Sequence, residues 1–424
     1  MRERLRARAE KNGAIRVGLV GAGQMGAGLM SQMERMDGMR VVAVADVLPG
    51  RAEAAYREAT VQAPVLPTDD AETAADAIAS GQRAAMRDAD ALTQIPNLDI
   101  IVECTGVPEV GARVCLAAID AGKDVVNMNV ETDATIGYIL QRKAAAAGVV
   151  YTLTAGDEPG TIKELYDFAD ALGFEIVLVG KGKNNPLNRH SNPDTCAAKA
   201  RAQNMSPKML ASFEDGTKTM VEMTSIGNGV GFAPEVTGAR GPACSVSELA
   251  KVFAPRSAGG IFNGRGAVDY AVGPAPGVFV IITTDQPKIM ADLRYLRLNG
   301  HGDYWALYRP YHLANLETPI SVARAVLDRE VTLATTRPFV AETIAYAKRD
   351  LAAGDKIDAL GGFTVYGMIE RADVARQARQ LPLGLAVGAT LVRPVAMGAA
   401  LTWDDVVIQE TQTIVRLRRE QDAL

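Results

Sequence analysis

The densest group of chemically capable side chains follows a predicted strand in the middle of the chain. Lys181 and Lys183 lead into Asn184, Asn185 and His190. A carbon that gains or loses a hydride needs a partner for the proton on its oxygen, and a histidine or a lysine of lowered pKa can serve. The Asn side chains can bind hydroxyls, and Lys and Arg can bind a carboxylate or a phosphate. We interpret the segment as catalytic; a basic loop in water is the alternative.

A glycine-rich segment near the N-terminus lies between a predicted strand and a predicted helix. Gly21, Gly23 and Gly26 have the spacing G-x-G-x-x-G, with Gln24 and Met25 between the last two. In this pattern the first glycine permits a tight turn, the second lets the backbone approach a pyrophosphate, and the third lets helix and strand pack closely. The pyrophosphate then rests on the N–H groups of the helix N-terminus. A glycine turn in a fold that binds no dinucleotide is the alternative.

An acid follows at the position that this pattern requires. The second predicted strand ends at Asp46, 20 residues beyond Gly26. A carboxylate there accepts hydrogen bonds from the adenosine ribose hydroxyls. Its charge repels the 2′-phosphate of NADP, so we predict NAD as the cofactor. NADP is the alternative, because Arg51 could turn toward its phosphate, although we expect Arg51 to be a solvated helix residue.

Polar residues also follow three later strands. Ligands of doubly wound sheets sit outside the carboxyl ends of the strands, so Thr105, Gly106 and Asn129 are expected to contact the cofactor. Asp157 and Glu158 follow the next strand, where paired acids suit proton transfer or a divalent ion. We include Glu158 among the candidate catalytic residues. A surface turn is the alternative, and the sequence leaves the metal requirement open.

The order of the predicted elements indicates an α/β protein. Strands alternate with helices, which predicts a Rossmann doubly wound parallel sheet over residues 1–158, with a helical excursion at 48–94. The rhythm then changes, and we expect an α+β substrate domain over residues 159–337. A small β-clip domain is predicted over 338–410, followed by a polar tail over 411–424.

The β-clip prediction depends on an internal repeat. The pattern R-x-[LV]-A-x-G-x-x-[IL] begins at Arg349 and again at Arg393. Two copies are too few for a solenoid. We therefore expect a pseudo-symmetric β domain.

Composition excludes several classes of protein. Of 424 residues, 45 are Lys or Arg and 50 are Asp or Glu, and this net charge of −5 argues against a nucleic-acid-binding surface. No apolar run approaches the roughly 18 residues of a membrane span, and the charged N-terminus does not resemble a signal peptide. Four scattered cysteines fit neither a disulfide framework nor a zinc site. We expect a cytoplasmic protein that binds a small molecule.

Several longer motifs resemble known families. The segments around Gly21, Glu103 and Gly156 resemble homoserine dehydrogenase-like proteins, and the C-terminal repeat resembles the SAF domain, a β-clip module. Five further segments are similar to the deoxyxylulose-phosphate reductoisomerase-like enzymes of isoprenoid synthesis. They are residues 128–131, 155–159, 180–187, 218–223 and 309–312.

This resemblance implies an NAD(P)-dependent oxidoreductase with a Rossmann domain, a substrate domain and a SAF-like domain. The reductoisomerase-like enzymes use NADPH, whereas Asp46 argues for NAD. We therefore predict oxidoreduction of a small polar, anionic hydroxy or keto compound. The alternatives are a reductoisomerase-like enzyme and a non-catalytic NAD-sensing regulator. Analogy with related folds implies a homo-oligomer.

Overall fold

The computed structural model describes residues 1–203 and 205–424, which form two structural units. Unit 1 comprises Met1–Gly160, Leu313–Thr336 and Arg416–Leu424. Unit 2 comprises Thr161–His312 and Arg337–Val415.

The strands are numbered in chain order. They are β1 (Ile15–Val20), β2 (Met39–Ala45), β3 (Val65–Pro67), β4 (Arg83–Met86), β5 (Ile100–Glu103), β6 (Asp124–Asn127), β7 (Tyr151–Leu153), β8 (Glu175–Lys183), β9 (Ala267–Val272), β10 (Val278–Thr283), β11 (Gly300–His301), β12 (Tyr304–Arg309), β13 (Ala341–Ala347), β14 (Val365–Arg371), β15 (Thr390–Leu391) and β16 (Val406–Val407).

The α-helices are numbered in the same way. They are α1 (Arg2–Asn12), α2 (Gln24–Glu34), α3 (Arg51–Glu58), α4 (Ala71–Ala79), α5 (Ala89–Gln94), α6 (Pro108–Asp120), α7 (Val130–Ala147), α8 (Glu158–Ala171), α9 (Pro193–Ala202), α10 (Pro207–Glu214), α11 (Thr217–Val230), α12 (Leu249–Val252), α13 (Pro287–Tyr295), α14 (Ala314–Asp328), α15 (Ala372–Gln377), α16 (Leu383–Ala386) and α17 (Thr413–Asp422). Three short 3₁₀ helices cover Val246–Glu248, Arg256–Ala258 and Trp403–Asp405.

Unit 1 contains a seven-stranded parallel sheet in the order β3-β4-β2-β1-β5-β6-β7. Its central strands are almost wholly apolar, as strands covered on both faces must be. Val17, Leu19, Ile100 and Val102 have no exposed surface. The strand order reverses direction between β1 and β5, and this switch point is where doubly wound sheets bind ligands. The predicted Rossmann sheet is confirmed.

The expectation of a purely helical excursion over residues 48–94 is wrong. This stretch adds β3 and β4 to the sheet, and both pair in parallel. The strands have only three and four residues, and they include Pro67 and Arg83. Such short segments lack the apolar run by which the longer strands are recognised.

Two later segments return to unit 1. The α14 helix packs against α2, where a Cβ on Gly28 would lie 2.1 Å from the side-chain nitrogen of Asn315. In α17, the side-chain oxygen of Gln421 accepts the backbone N–H of Ile139 at 3.0 Å. The core of this unit therefore includes residues distant in sequence from the glycine-rich segment. The predicted substrate-domain bounds of 159–337 and the predicted tail over 411–424 are wrong here, because Leu313–Thr336 and Arg416–Leu424 belong to unit 1.

Unit 2 contains a mixed five-stranded sheet in the order β11-β12-β10-β8-β9. The β8 strand pairs in parallel with β9 and antiparallel with β10. One face carries a buried aromatic cluster in which Phe279 of β10 packs against Phe253, and Phe253 stacks on Phe262. A mixed sheet with helices agrees with the predicted α+β substrate domain.

The repeat forms a pseudo-symmetric β unit, as predicted. Residues 44 positions apart make equivalent hydrogen bonds: the N–H of Gly354 donates to the carbonyl of Leu391 at 2.7 Å, and that of Gly398 donates to Ala347 at 2.9 Å. The isolated bridges also correspond, since Lys356 faces Thr390 and Tyr346 faces Ala400. The two copies therefore form one structure by pairing with each other.

The β13–β14 hairpin of this region packs on α11 within unit 2. Asn228 of α11 accepts the backbone N–H of Ala341 at 2.9 Å, and Thr217 accepts that of Gly367 at 2.9 Å. The hydroxyls of Thr224 and Thr343 lie 2.8 Å apart. The hairpin thus completes the core of unit 2.

Candidate active site

The three glycines of the fingerprint occupy a tight turn between β1 and α2. Gly21 has a φ of +94°, which a residue with a side chain rarely adopts, and a Cβ there would press on the backbone of Cys104 and Thr105. A Cβ on Gly26 would lie 2.0 Å from the carbonyl oxygen of Gly21, so the helix approaches the strand only with glycine. Gly23 is exposed and faces open space. The turn therefore has room for a pyrophosphate.

The N-terminus of α2 is suited to that pyrophosphate. Gly23 is the N-cap residue and supplies no side-chain cap, and Gln24 and Met25 follow it in exposed positions. The first N–H groups of a helix have no intrahelical acceptors and carry partial positive charge. These residues fit the phosphates of a dinucleotide.

Asp46 lies at the end of β2, beside the glycine turn. Its carboxylate accepts the N–H of Ala22 at 2.8 Å and that of Leu48 at 2.9 Å. Each oxygen retains lone pairs for a ribose hydroxyl. Asp46 and Arg87 also border a cavity of about 350 Å³ in unit 1. Position, charge and space fit the adenosine half of a dinucleotide.

Arg51 contacts the glycine turn instead of being a simply solvated helix residue. Its Nε donates to the carbonyl oxygen of Ala22 at 2.7 Å. This bond ties the first turn of α3 to the glycine segment. The expectation that Arg51 is only solvated is therefore wrong.

A buried acid ends β5. Glu103 has no exposed surface, and burial raises the pKa of its carboxyl group to about 7. Its Oε1 accepts the N–H of Thr105 at 2.9 Å and also the Thr105 hydroxyl, whereas Oε2 has no hydrogen-bond partner. Gly106 follows in an exposed turn with open space around it. The predicted contact residue Thr105 is thus oriented by an acid that sequence reasoning did not select, and Gly106 follows it directly.

Asn129 is held inside unit 1. Its side-chain oxygen accepts the N–H of Thr132 at 3.2 Å, which caps α7, and its amide nitrogen donates to the carbonyl of Val107 at 3.0 Å. These contacts account for an asparagine at this position. A role in cofactor binding stays a prediction.

In unit 2, β8 ends with alternating glycines and lysines. A Cβ on Gly180 would lie 2.5 Å from the ring of Phe279, and one on Gly182 would lie 2.0 Å from the carbonyl oxygen of Pro274. Successive side chains of a strand point to opposite faces, so the lysines lie on the other face. There Lys181 forms a buried ion pair with Glu222 of α11. Both lysines contact the α10–α11 segment, Lys181 through Glu222 and Lys183 through the carbonyl of Phe213, as expected of side chains on one face.

Lys183 is buried beside this ion pair. Its Nζ donates to the carbonyl of Phe213 at 2.6 Å and to the side-chain oxygen of Asn185 at 2.9 Å. Burial, assisted by the positive charge of Lys181, lowers the pKa of Lys183 to about 8. A neutral amine keeps both bonds and offers its lone pair, while the ammonium form offers a third N–H. A group with these properties can exchange a proton near neutral pH, and a catalytic role for Lys183 stays a prediction.

The other candidate catalytic residues are not all brought to this pair. Asn184 and His190 are exposed, and the backbone N–H of His190 donates to Asn188 at 3.3 Å. Glu158 is the first residue of α8 and belongs to unit 1. Their catalytic roles stay predictions, whereas Asn185 contacts Lys183 directly.

Sequence reasoning missed several partners in unit 2. Glu222 neutralises Lys181, and Lys348 of the SAF-like region pairs with Asp215 at 2.8 Å in a fully buried contact. Glu222 is the single acidic residue in the α11 sequence, and this is a local signal that could have been used.

Three family models match consecutive segments of the chain. Residues 21–153 match the NAD binding domain of homoserine dehydrogenase, residues 156–318 match the catalytic domain of oxidoreductase DRL, and residues 342–407 match the SAF domain. The chain is an oxidoreductase. The first match, together with the glycine turn, supports binding of NAD in unit 1, and the last confirms the predicted SAF domain.

Comparison with solved structures finds dehydrogenases. A "probable dehydrogenase" from Thermotoga maritima is 12% identical with a TM-score of 0.43, covering 74% of this chain and 90% of that one. The scyllo-inositol dehydrogenase from Lactobacillus casei, solved with NAD(H) and scyllo-inositol, is 15% identical with a TM-score of 0.37, covering 70% and 76%. A search of curated proteins found no match. Within the described part of the chain, every helix is too short or too polar to traverse a bilayer.

Proposed function

We propose that this oxidoreductase exchanges a hydride between NAD and a small, polar, anionic hydroxy or keto compound held by unit 2. The observation that carries the proposal is the environment of Lys183. A buried lysine whose pKa is lowered to about 8 and whose Nζ is fixed by two acceptors is suited to proton transfer at neutral pH.

NAD supplies the hydride-accepting nicotinamide. In the oxidative direction the substrate's carbinol carbon loses a hydride, its hydroxyl proton passes to the lone pair of neutral Lys183, and a C=O bond forms. In the reductive direction, protonated Lys183 returns the proton to the developing alkoxide. Asn185 holds the Nζ of Lys183, and Glu222 offsets the charge of Lys181.

We further propose NAD, rather than NADP, as the preferred cofactor. Asp46 supports this choice, because its carboxylate is fixed by two backbone N–H groups and would repel a 2′-phosphate. The Nε of Arg51, which could offset that repulsion, already donates to Ala22. Titration of both cofactors by calorimetry tests the preference.

The substrate is tested by cofactor turnover. A panel of polyols, hydroxy acids and sugar phosphates, with deoxyxylulose phosphate included, is assayed with NAD(H) and NADP(H) at 340 nm. We expect turnover with an anionic hydroxy or keto compound. Turnover confined to deoxyxylulose phosphate would indicate reductoisomerase-like chemistry instead, and no turnover with any compound would favour a regulator.

A further inference from the structure

Arg189 lies against the β13–β14 hairpin of the SAF domain (the SAF hairpin) in unit 2. Its guanidinium carbon is 5.0 Å from the ring centroid of Tyr366 on β14, and that ring lies 5.8 Å from the ring of Tyr346 on β13. Tyr366 is buried, and Tyr346 is partly buried. A guanidinium stacked on an aromatic face is fixed in orientation while its N–H groups stay available at the edge.

The N–H groups of Arg189 lack a protein acceptor. Nη1 is fully buried with no hydrogen-bond partner. Among residues 1–203 and 205–424, neither a salt bridge nor a hydrogen bond engages this side chain. Buried charged donors in proteins are normally paired, so this guanidinium indicates a group that arrives from outside.

Three buried acids of unit 2 already have partners. Glu222 pairs with Lys181, and Asp215 pairs with Lys348. Asp269 accepts three backbone N–H groups, from Arg240, Gly241 and Tyr270. None of these carboxylates is left to neutralise Arg189.

A strained loop covers one side of Arg189. Gly238, Ala239 and Gly241 all have positive φ, and for alanine this conformation is uncommon. A Cβ on Gly238 would lie 2.6 Å from the Cε of Met368 and 3.4 Å from Nη2 of Arg189. Backbone strain of this kind persists where surrounding contacts enforce it, often at binding sites.

Tyr270 links this region to the lysines. A Cβ on Gly241 would lie 2.2 Å from the Tyr270 hydroxyl, so the loop closes on this side chain. Tyr270 of β9 faces Lys181 of β8 in the parallel register. The positive charge of Arg189 also opposes the rise that burial causes in the pKa of Tyr270, as expected of neighbouring groups. Arg189 therefore lies near Tyr270, the residue that neighbours Lys181 on the sheet.

We propose that Arg189, backed by Tyr346 and Tyr366, binds an oxyanion group of the substrate, either a carboxylate or a phosphate. The SAF hairpin is then a wall of the substrate site rather than an appended module. The identity of the anion as a substrate group rests on the proposed function, whereas the binding of an anion does not.

The test is calorimetric titration of full-length, NAD-saturated protein with inorganic phosphate and, separately, with malonate. We expect one of the two anions to bind. Binding of phosphate would indicate a phosphate group on the substrate, and binding of malonate would indicate a carboxylate. Arg189→Met should weaken that binding about tenfold or more, because the charged guanidinium can no longer donate hydrogen bonds to the anion. Tyr366→Leu should weaken it about threefold through loss of the stacking surface. Arg201→Met, which removes an exposed arginine of α9, is the matched control and should leave affinity unchanged.

Three results would overturn the proposal: no binding of either anion by the unmodified protein, unchanged affinity in Arg189→Met, or an equal loss in Arg201→Met. If Arg189→Met does not fold, Arg189→Lys replaces it, and unchanged affinity there also overturns the proposal. Because no turnover is measured, a failure of the proposed oxidoreduction across the substrate panel would leave these binding results standing.

Discussion

Leu351 and Val395 occupy the same position in the two copies of the repeat and pair with each other. The N–H of Leu351 donates to the carbonyl of Val395 at 2.9 Å, and the reverse bond is 3.0 Å. The pseudo-twofold axis therefore passes between these residues. The symmetry fails at Lys348, which is buried, while its counterpart Val392 is 53% exposed. The copy that carries Lys348 is the one that anchors the SAF domain in unit 2.

Loss of Lys348 should destabilise unit 2. Its ammonium group donates to Asp215, to the carbonyl of Ser191 and to the carbonyl of Gly362, so all three N–H groups are used. Lys348→Met leaves Asp215 buried and unpaired, and we expect a loss of about 3–5 kcal/mol. Urea unfolding followed by tryptophan fluorescence measures it. Val392→Ala at the symmetric position is the control, and a loss in Lys348→Met no larger than in that variant would refute the anchoring role.

Substitution at Asp46 should change cofactor preference. Asp46→Asn removes the charge but keeps an oxygen for one backbone N–H, so the glycine turn is disturbed less than by Asp46→Ala. We expect NAD to bind about tenfold more weakly, a loss of about 1.4 kcal/mol, and the preference over NADP to narrow. Calorimetry with both cofactors measures this, with the exposed Asp120→Asn as control. Tighter binding of NADP than of NAD by the unmodified protein would contradict the account.

Glu103 should make the stability of unit 1 depend on pH. Its pKa is raised from 4.5 to about 7, so the folded chain keeps a proton that the unfolded chain releases. The free energy of unfolding should therefore fall as pH rises from about 4.5 to 7, with a contribution of about 1–3 kcal/mol.

The Glu103→Gln variant cannot lose a proton at this position. Its free energy of unfolding should therefore lack the pH-dependent change that Glu103 causes. Unfolding followed by circular dichroism at pH 4.5 and pH 8 measures the change, with the exposed Glu58→Gln as control. The same pH dependence in Glu103→Gln as in the unmodified chain would assign the effect to other groups.

The two directions of the reaction should have opposite pH profiles. Oxidation needs neutral Lys183, so its rate should rise as pH passes through about 8; reduction needs the ammonium form, so its rate should fall over the same range. In the Lys183→Arg variant the side chain stays protonated. This variant should lose most activity, and the rates of oxidation and reduction should no longer change near pH 8. Initial rates in both directions test this, and an inflection near pH 8 that survives in Lys183→Arg would exclude Lys183 as its source.

The parts of the fold set by local sequence could be predicted. The glycine turn with Asp46, the repeat, and the alternation that places Lys181 and Lys183 on one face each depend on neighbouring residues. The partners of these groups could not be predicted in this way. Lys348 meets Asp215 across 133 positions, and only packing of the hairpin on α11 brings them together. Such pairings depend on tertiary contacts, which no local pattern encodes.

The most direct test of the account is Lys183→Ala, with turnover measured on the substrate that the panel identifies and NAD affinity measured in parallel. Lys181 and Asn185 remain in place, so the change removes the group proposed to move the proton. We expect turnover to fall about 10²-fold or more and NAD affinity to stay within about twofold, because the glycine turn lies in the other unit. Lys251→Ala, an exposed lysine of unit 2, should leave both unchanged. Near-normal turnover in Lys183→Ala would contradict the account and leave Lys183 with a structural role, as the donor to the carbonyl of Phe213.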